Sequence, residues 1–149
     1  MVLVILGSKS DKRFGDLACK TLEELGIPYE LRISSAHRNP TETAKIVDGV
    51  EKKGFKVIIA MAGYAAHLPG FIASRTTLPV IGVPLDTSPL KGIDSLLSIV
   101  QMPSGIPVAT VGIGEAGAKN AAILAAQILS IEDEELKKKL KGMREAWQR

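Results

Sequence analysis

At 149 residues, with a formal net charge of +3 and 46% hydrophobic residues, the chain is one domain of ordinary size, with enough apolar content for a sizeable core. Its basic residues are dispersed or gathered in the C-terminal tail, and aromatics make up only 4% of it, which argues against a nucleic-acid binder that stacks bases. No apolar run reaches the length of a bilayer span, and Met1 leads straight into an apolar segment with neither a positive n-region nor a cleavage site, so the expected location is cytoplasmic.

Apolar runs alternate with helical patterns along the whole chain. Residues 2–6 form a short, fully apolar strand, and Phe14, Leu17, Ala18, Thr21, Leu22 and Leu25 then repeat at helical spacing until Gly26 and Pro28 stop them. The single Cys19 falls on the buried side of that helix, where a small core residue is expected. Residues 29–33 alternate, as an edge strand with one wet face does. A helix follows over 40–53, closed by Gly54. Residues 56–62 give a third strand, 68–75 a short helix, 79–83 a fourth strand, 93–101 a helix and 107–111 an apolar fifth strand. A long helix over 117–129 carries Ala118, Ala121, Ala122, Ala125 and Ala126. Residues 131–149 read as a separate amphipathic helix: Ser130 with Asp133 resembles a capping box, and Leu136, Leu140, Met143 and Trp147 form a stripe suited to docking.

Five short strands with helices between them specify a parallel sheet covered on both faces, a three-layer αβα sandwich. The flavodoxin-like order 2-1-3-4-5 puts the alternating second strand at one edge and the apolar fifth strand at the other. An apolar edge beside an alanine-rich helix, in a chain of positive mean hydropathy, points to a neighbouring subunit; a helix packed on its own sheet explains the alanines equally well.

In this topology the carboxyl ends of strands one, two and three converge, where open α/β sheets bind ligands. The first loop is Gly7-Ser8-Lys9-Ser10-Asp11: backbone N–H groups, hydroxyls and a glycine suit a phosphate, and Asp11 suits the vicinal hydroxyls of a ribose, although Ser10 or Asp11 could serve only as a helix cap. The second is Ser34-Ser35-Ala36-His37-Arg38-Asn39-Pro40, with a proton carrier for neutral pH beside a planar anion-binding fork. The third, residues 62–70, combines small residues with His67, and His37 and His67 are the chain's 2 histidines. Without a nearby carboxylate or thiolate they make a poor metal site, so no metal is expected. Gly112-Ile113-Gly114-Glu115-Ala116-Gly117 matches a dinucleotide fingerprint, but no further strand with an acidic end follows it, so the βαβ context fails.

Together Gly7-Ser8-Lys9-Ser10-Asp11, Ser35-Ala36-His37-Arg38-Asn39-Pro40, Ala65-Ala66-His67-Leu68-Pro69-Gly70, Gly82-Val83-Pro84, Asp94-Ser95-Leu96 and Ser98-Ile99-Val100-Gln101-Met102-Pro103 strongly resemble the class I N5-carboxyaminoimidazole ribonucleotide mutases of de novo purine synthesis. The resemblance covers essentially residues 2–130, leaving 131–149 as a docking helix of the same domain. It implies a flavodoxin-like fold, a homo-octamer, and an isomerase that moves a carboxylate from N5 to C4 of the ribonucleotide by way of CO2 and aminoimidazole ribonucleotide. By the same resemblance Ser8, Asp11 and Arg38 contact the ribonucleotide, with Ser10 and Ser35 close to it, and His37 is the general acid and base. Gly63, Ala65, Ala66, His67 and Leu68 shape the CO2 pocket. No cofactor is implied; the enzyme is coupled functionally to the ATP-dependent synthetase that makes the carbamate. Met61 and Tyr64 interrupt a run that is glycine-rich in the family. Direct carboxylation of aminoimidazole ribonucleotide with CO2 by class II relatives, and a ribonucleotide-binding protein without turnover, stand as alternatives; Arg38 and the Ala-His-Leu-Pro-Gly run favour class I.

Overall fold

Chain order dictates the layers. The computed structural model describes residues 1–148, in which β1 (Val2–Leu6), β3 (Val57–Ala62) and β4 (Val80–Pro84) are buried along their whole length, as strands covered on both faces must be. With β2 (Tyr29–Ile33) and β5 (Ala109–Thr110) they form a parallel sheet in the order β2-β1-β3-β4-β5, the flavodoxin-like topology expected. Register is continuous across the centre: Leu6 pairs with Ile33 on one side and Met61 on the other, and Met61 pairs with Val83. The carboxyl ends of the strands are therefore level, and their loops leave from one rim.

Successive strand residues face opposite layers. Val2, Val4 and Leu6 join Phe14, Ala18 and Leu22 of α1 (Lys12–Glu24) and the alanines of α5 (Gly114–Leu129). Leu3 and Ile5 face the other way, into a second core with Val47 of α2 (Pro40–Val47), Ile72 of α3 (Leu68–Ala73) and Ile99 of α4 (Ile93–Val100). Ala118, Ala121, Ala122, Ala125 and Ala126 of α5 are wholly buried within the chain itself. Small side chains let α5 approach its own sheet and α1, and no second subunit is required to explain them.

Several boundaries differ from the sequence expectation. Helix α2 stops at Val47, not at residue 53, because Asp48 leaves the helical region and Gly49 follows at φ +86°. Val50, at helical spacing from Val47, is buried from a turn instead. Strand β5 keeps only two paired residues, so the far edge is short and half-exposed. Helix α6 (Glu134–Trp147) is capped by Asp133, whose carboxylate accepts from Leu136 N at 3.0 Å; Ser130 instead ends α5 and donates to the Gln127 carbonyl, so the expected Ser130–Asp133 capping box does not form. Leu136 and Leu140 dock into the α1/α5 core with Met143 against it, while Trp147, at the end of the same stripe, stays 67% exposed. Lys139 ties α6 to the end of α1 by donating to the Leu25 carbonyl. The last residue of the expected 131–149 segment, Arg149, lies outside the described residues.

Candidate active site

The first loop is built by serines that satisfy one another. As β1 ends, Gly7 N donates to the Met61 carbonyl, and residues 9–11 make one 3-10 turn. Ser8 caps that turn: its Oγ accepts from Ser10 N at 3.3 Å and from the Ser10 hydroxyl at 2.9 Å. Ser10 Oγ also lies 3.2 Å from Asp11 Oδ1. Asp11 is only 4% exposed. Burial pushes its carboxyl above the ordinary carboxylate value, opposed by hydrogen bonds from the Ser10 hydroxyl and the Ser8 backbone. A carboxylate so buried at a cleft wall is an acceptor lacking most of its water, and ligand hydroxyls can replace that water.

The second loop is pinned from below. Ser34 N extends the β1–β2 ladder by donating to the Leu6 carbonyl at 2.9 Å. The Ser34 hydroxyl meets that of buried Thr43 at 2.7 Å, and Thr43 donates in turn to the Asn39 carbonyl. Above this, Ser35 Oγ accepts from Arg38 N at 3.2 Å and Asn39 caps α2 through Glu42 N, with Pro40 in the first turn. His37 and Arg38 are left at the tip of a held turn, both exposed.

The third loop needs small residues for reasons the geometry makes plain. A Cβ on Gly63 would fall on Thr87 Oγ1, from the β4–α4 loop. Tyr64 adopts a left-handed backbone, φ +54°, and the Ala66 N–H closes a tight turn on its carbonyl at 2.9 Å. His67 then opens α3. Its ring stacks on His37, centroids 5.1 Å apart and planes within 3° of parallel, and meets Phe71 edge-on at 5.7 Å.

These loops enclose one cleft of about 470 Å³. Its lining includes Ser8, Ser10, Asp11, Ser35, His37 and Arg38 on the polar side and Gly63, Ala65, Ala66, His67 and Leu68 on the other, so every site residue expected from sequence is brought together. Gly7, Ala36, Ala62, Tyr64 and Thr87 line it too. Thr87 carries no motif, and its only signal in the sequence is that the loop after strand four leaves from the same rim. Met61 bears on the cleft only through its backbone, its side chain being wholly buried in the α1/α5 core. Among the described residues no group of three or more His, Cys, Asp or Glu is placed to hold a metal ion. Cys19 lies away from the cleft in the core, and burial raises its thiol to about 11, with the Asp16 and Glu23 carboxylates adding to the shift.

The fingerprint-like glycines serve packing. Gly117 sits against the Gly112 backbone, and the Asp86 carboxylate lies beside Gly114 at the α5 N-terminus, where it would repel a phosphate.

The family described as AIR carboxylase matches residues 1–149. Among curated proteins, the chain is 56% identical over 145 residues to the N5-carboxyaminoimidazole ribonucleotide mutase of Bacillus subtilis (strain 168), covering 97% of this chain and 90% of that protein. It is 50% identical to the Escherichia coli (strain K12) protein of the same name, covering 97% and 86% respectively. Among solved structures, Treponema denticola PurE superposes with a TM-score of 0.88 at 32% identity, over 97% of this chain and 89% of that one.

Proposed function

The chain belongs to the AIR carboxylase family, and from that premise we propose that it is an N5-carboxyaminoimidazole ribonucleotide mutase, an isomerase of purine biosynthesis, with the cleft at the carboxyl rim of the sheet as its active site. One observation carries the assignment of the site: a single cleft joins the His37–His67 stack to Asp11, Arg38 and the serines of the first two loops.

Each wall has its task. Arg38 and the Ser8–Ser10 turn supply charge and donors for a phosphate, while Asp11 accepts from ribose hydroxyls. That grip places the heterocycle against His37 and the small residues of the third loop. His37, as imidazolium, protonates N5; the N5–carboxyl bond breaks and CO2 leaves with its electron pair returned to nitrogen. C4 of the electron-rich aminoimidazole then attacks CO2, forming the new carbon–carbon bond. Neutral His37 removes the C4 proton, restoring aromaticity and its own starting charge. Proton count and charge balance over the cycle, and the protein's contribution is positioning, proton transfer and retention of CO2.

The same reading has the enzyme in the cytoplasm, drawing its substrate from an ATP-dependent synthetase, with residues 1–130 as the catalytic unit and 131–149 as its docking helix. It also has the enzyme acting as a homo-octamer. The exposed stripe Leu90, Ile93, Leu97 and Val100, at helical spacing along and just before α4, supports assembly with copies of the chain.

The test follows C4-carboxylated product by ultraviolet absorbance, from the N5-carbamate in one cuvette and from aminoimidazole ribonucleotide plus bicarbonate in another. Carbamate conversion faster than spontaneous decay is expected. In His37→Asn, turnover should fall by at least about 10²-fold, the low end of what a positioned acid–base group contributes, with ribonucleotide binding intact. Turnover unchanged in that variant refutes the mechanism, and product from the second cuvette alone would make the protein a direct carboxylase.

A further inference from the structure

Tyr64 stands out on three independent counts. Its backbone is left-handed at φ +54°, a conformation costly for a bulky L-residue and free for glycine. The turn that imposes this conformation is held by neighbours, through the Ala66 N–H on the Tyr64 carbonyl and the close approach of Gly63 to Thr87, so it does not depend on the tyrosine side chain. Tyr64 lines the cleft yet is 59% exposed, which puts it at the mouth. Strain alone would say little, since Lys91 is left-handed too, at φ +52°, and does not line the cleft. What separates the two is that the strained tyrosine is the cleft's only phenol and its largest side chain, set among Gly63, Ala65 and Ala66, which cannot cover anything.

The chemistry proposed for this cleft releases CO2, a small neutral molecule that no charge on the wall can hold. Its recapture by C4 competes with escape through the opening. A cover of apolar area is the physical remedy, and a tyrosine ring provides one with only two side-chain torsions to fix. We propose that Tyr64 is a positioning residue of this site whose ring closes over the bound heterocycle and keeps the released CO2 beside C4. The inference rests on the mutase reading and deepens it. The ring is the working part, because cover needs area; the hydroxyl keeps the outer edge wet in the open state. Free-state strain at this position is then the counterpart of a gain realised only with substrate bound.

The experiment compares wild type with Tyr64→Gly, Tyr64→Ala and Tyr64→Phe, supplied with N5-carbamate in buffer containing [13C]bicarbonate and carbonic anhydrase, with spontaneous decay subtracted. Three quantities are read: the fraction of carbamate ending as free aminoimidazole ribonucleotide instead of C4 product, the 13C content of that product, and the melting midpoint. Tyr64→Gly and Tyr64→Ala should leak several-fold more aminoimidazole ribonucleotide and take up more label, with kcat for product falling more than KM rises. Tyr64→Gly should melt no lower than wild type, and Tyr64→Phe should restore wild-type partitioning. Wild-type partitioning and labelling in the glycine and alanine variants would overturn the proposal, as would failure of phenylalanine to rescue. If wild type makes no product from the carbamate, the mutase reading itself fails and this role falls with it; if wild type converts and the variants do not leak, the Tyr64 role alone is wrong.

Discussion

Gly117→Ala and Gly142→Ala are the same chemical change in two helices, and the structure assigns them opposite signs. At Gly117, in the first turns of α5, an added Cβ would lie 2.6 Å from the Gly112 carbonyl carbon, closer still to its oxygen, and 3.2 Å from Val83 Cγ1. The obstacle is a planar peptide with no side-chain torsion to turn aside, so the chain after β5 or the start of α5 must shift. Overpacking of this kind costs about 1–3 kcal/mol, and a backbone obstacle belongs at the upper end. The better helix propensity of alanine returns about 1 kcal/mol. The net loss of about 2 kcal/mol corresponds to a melting midpoint about 4–8 °C lower for a chain of this size. At Gly142, in exposed α6, nothing lies within 4 Å of the new Cβ, so only the propensity gain of up to about 1 kcal/mol remains and the midpoint should rise. Thermal unfolding followed by circular dichroism at fixed protein concentration decides the matter. A Gly117→Ala midpoint at or above wild type would refute the packing role. It would also reopen a nucleotide-binding role for the Gly-rich run that Gly117 closes.

Two further outcomes test the site and the assembly. The raised Asp11 carboxyl means that ionising it costs more in the folded chain than in the unfolded one. That cost is absent below the ordinary carboxylate range and complete above the raised value, so stability from this group is lost as pH rises between them. Asp11→Asn should therefore raise the melting midpoint at neutral pH, by a margin that shrinks on acidification, while weakening ribonucleotide binding roughly 10- to 100-fold, the worth of hydrogen bonds to a charged acceptor; a margin that grows on acidification refutes this account. Leu97, 57% exposed in the middle of the α4 stripe, would bury its remaining area in an assembly, a little over half of a fully exposed leucine and worth about 1–2 kcal/mol per subunit. Leu97→Glu should then shift sedimentation to smaller species, and an unchanged profile would remove the stripe from the interface.

Legibility divided along physical lines. Strands β1 and β2 lie at residues 2–6 and 29–33 as their apolar patterns indicate: β1 is buried throughout, as a central strand must be, whereas the edge strand β2 is half-buried over Tyr29, Glu30 and Leu31 and exposed at Arg32 and Ile33, so the alternation of its sequence is not matched by alternating burial. The sequence pattern carries α2 past Val47 because Ile46, Val47 and Val50 keep helical spacing; burial of Val50 satisfies the pattern, whereas the backbone turns at Gly49. Ser130 and Asp133 are both good caps in the sequence, and which one starts α6 depends on where α5 ends. All the expected cleft residues lie on loops or first helical turns at one rim, which topology alone predicts once the strand order is known. Thr87 and the orientation of Tyr64 were beyond pattern reading: the first enters through a close approach to Gly63, and the second through a left-handed conformation that tyrosine does not advertise.

The cleft is also where the chain departs from what folding alone would choose. Asp11 sits almost wholly buried in the free protein with its carboxyl pushed upward, and Tyr64 occupies a backbone conformation made for glycine, both on the rim that carries His37 and Arg38. Elsewhere the interior is mostly the reverse: its two cores are apolar, and the buried Thr43 and Ser95 hydroxyls donate to neighbouring backbone carbonyls, with the Thr110 hydroxyl of β5 left as a buried group without a partner among the described residues. Residues strained or desolvated in the free state gain most from a ligand, since binding supplies what folding withheld. Lys91 limits how far strain alone can be read, for it shares the left-handed conformation without facing the cleft. Coincidence of strain, desolvation and chemistry at one rim is therefore the stronger sign of function, and it is the reason Asp11 and Tyr64 are the substitutions expected to trade stability against activity in opposite directions.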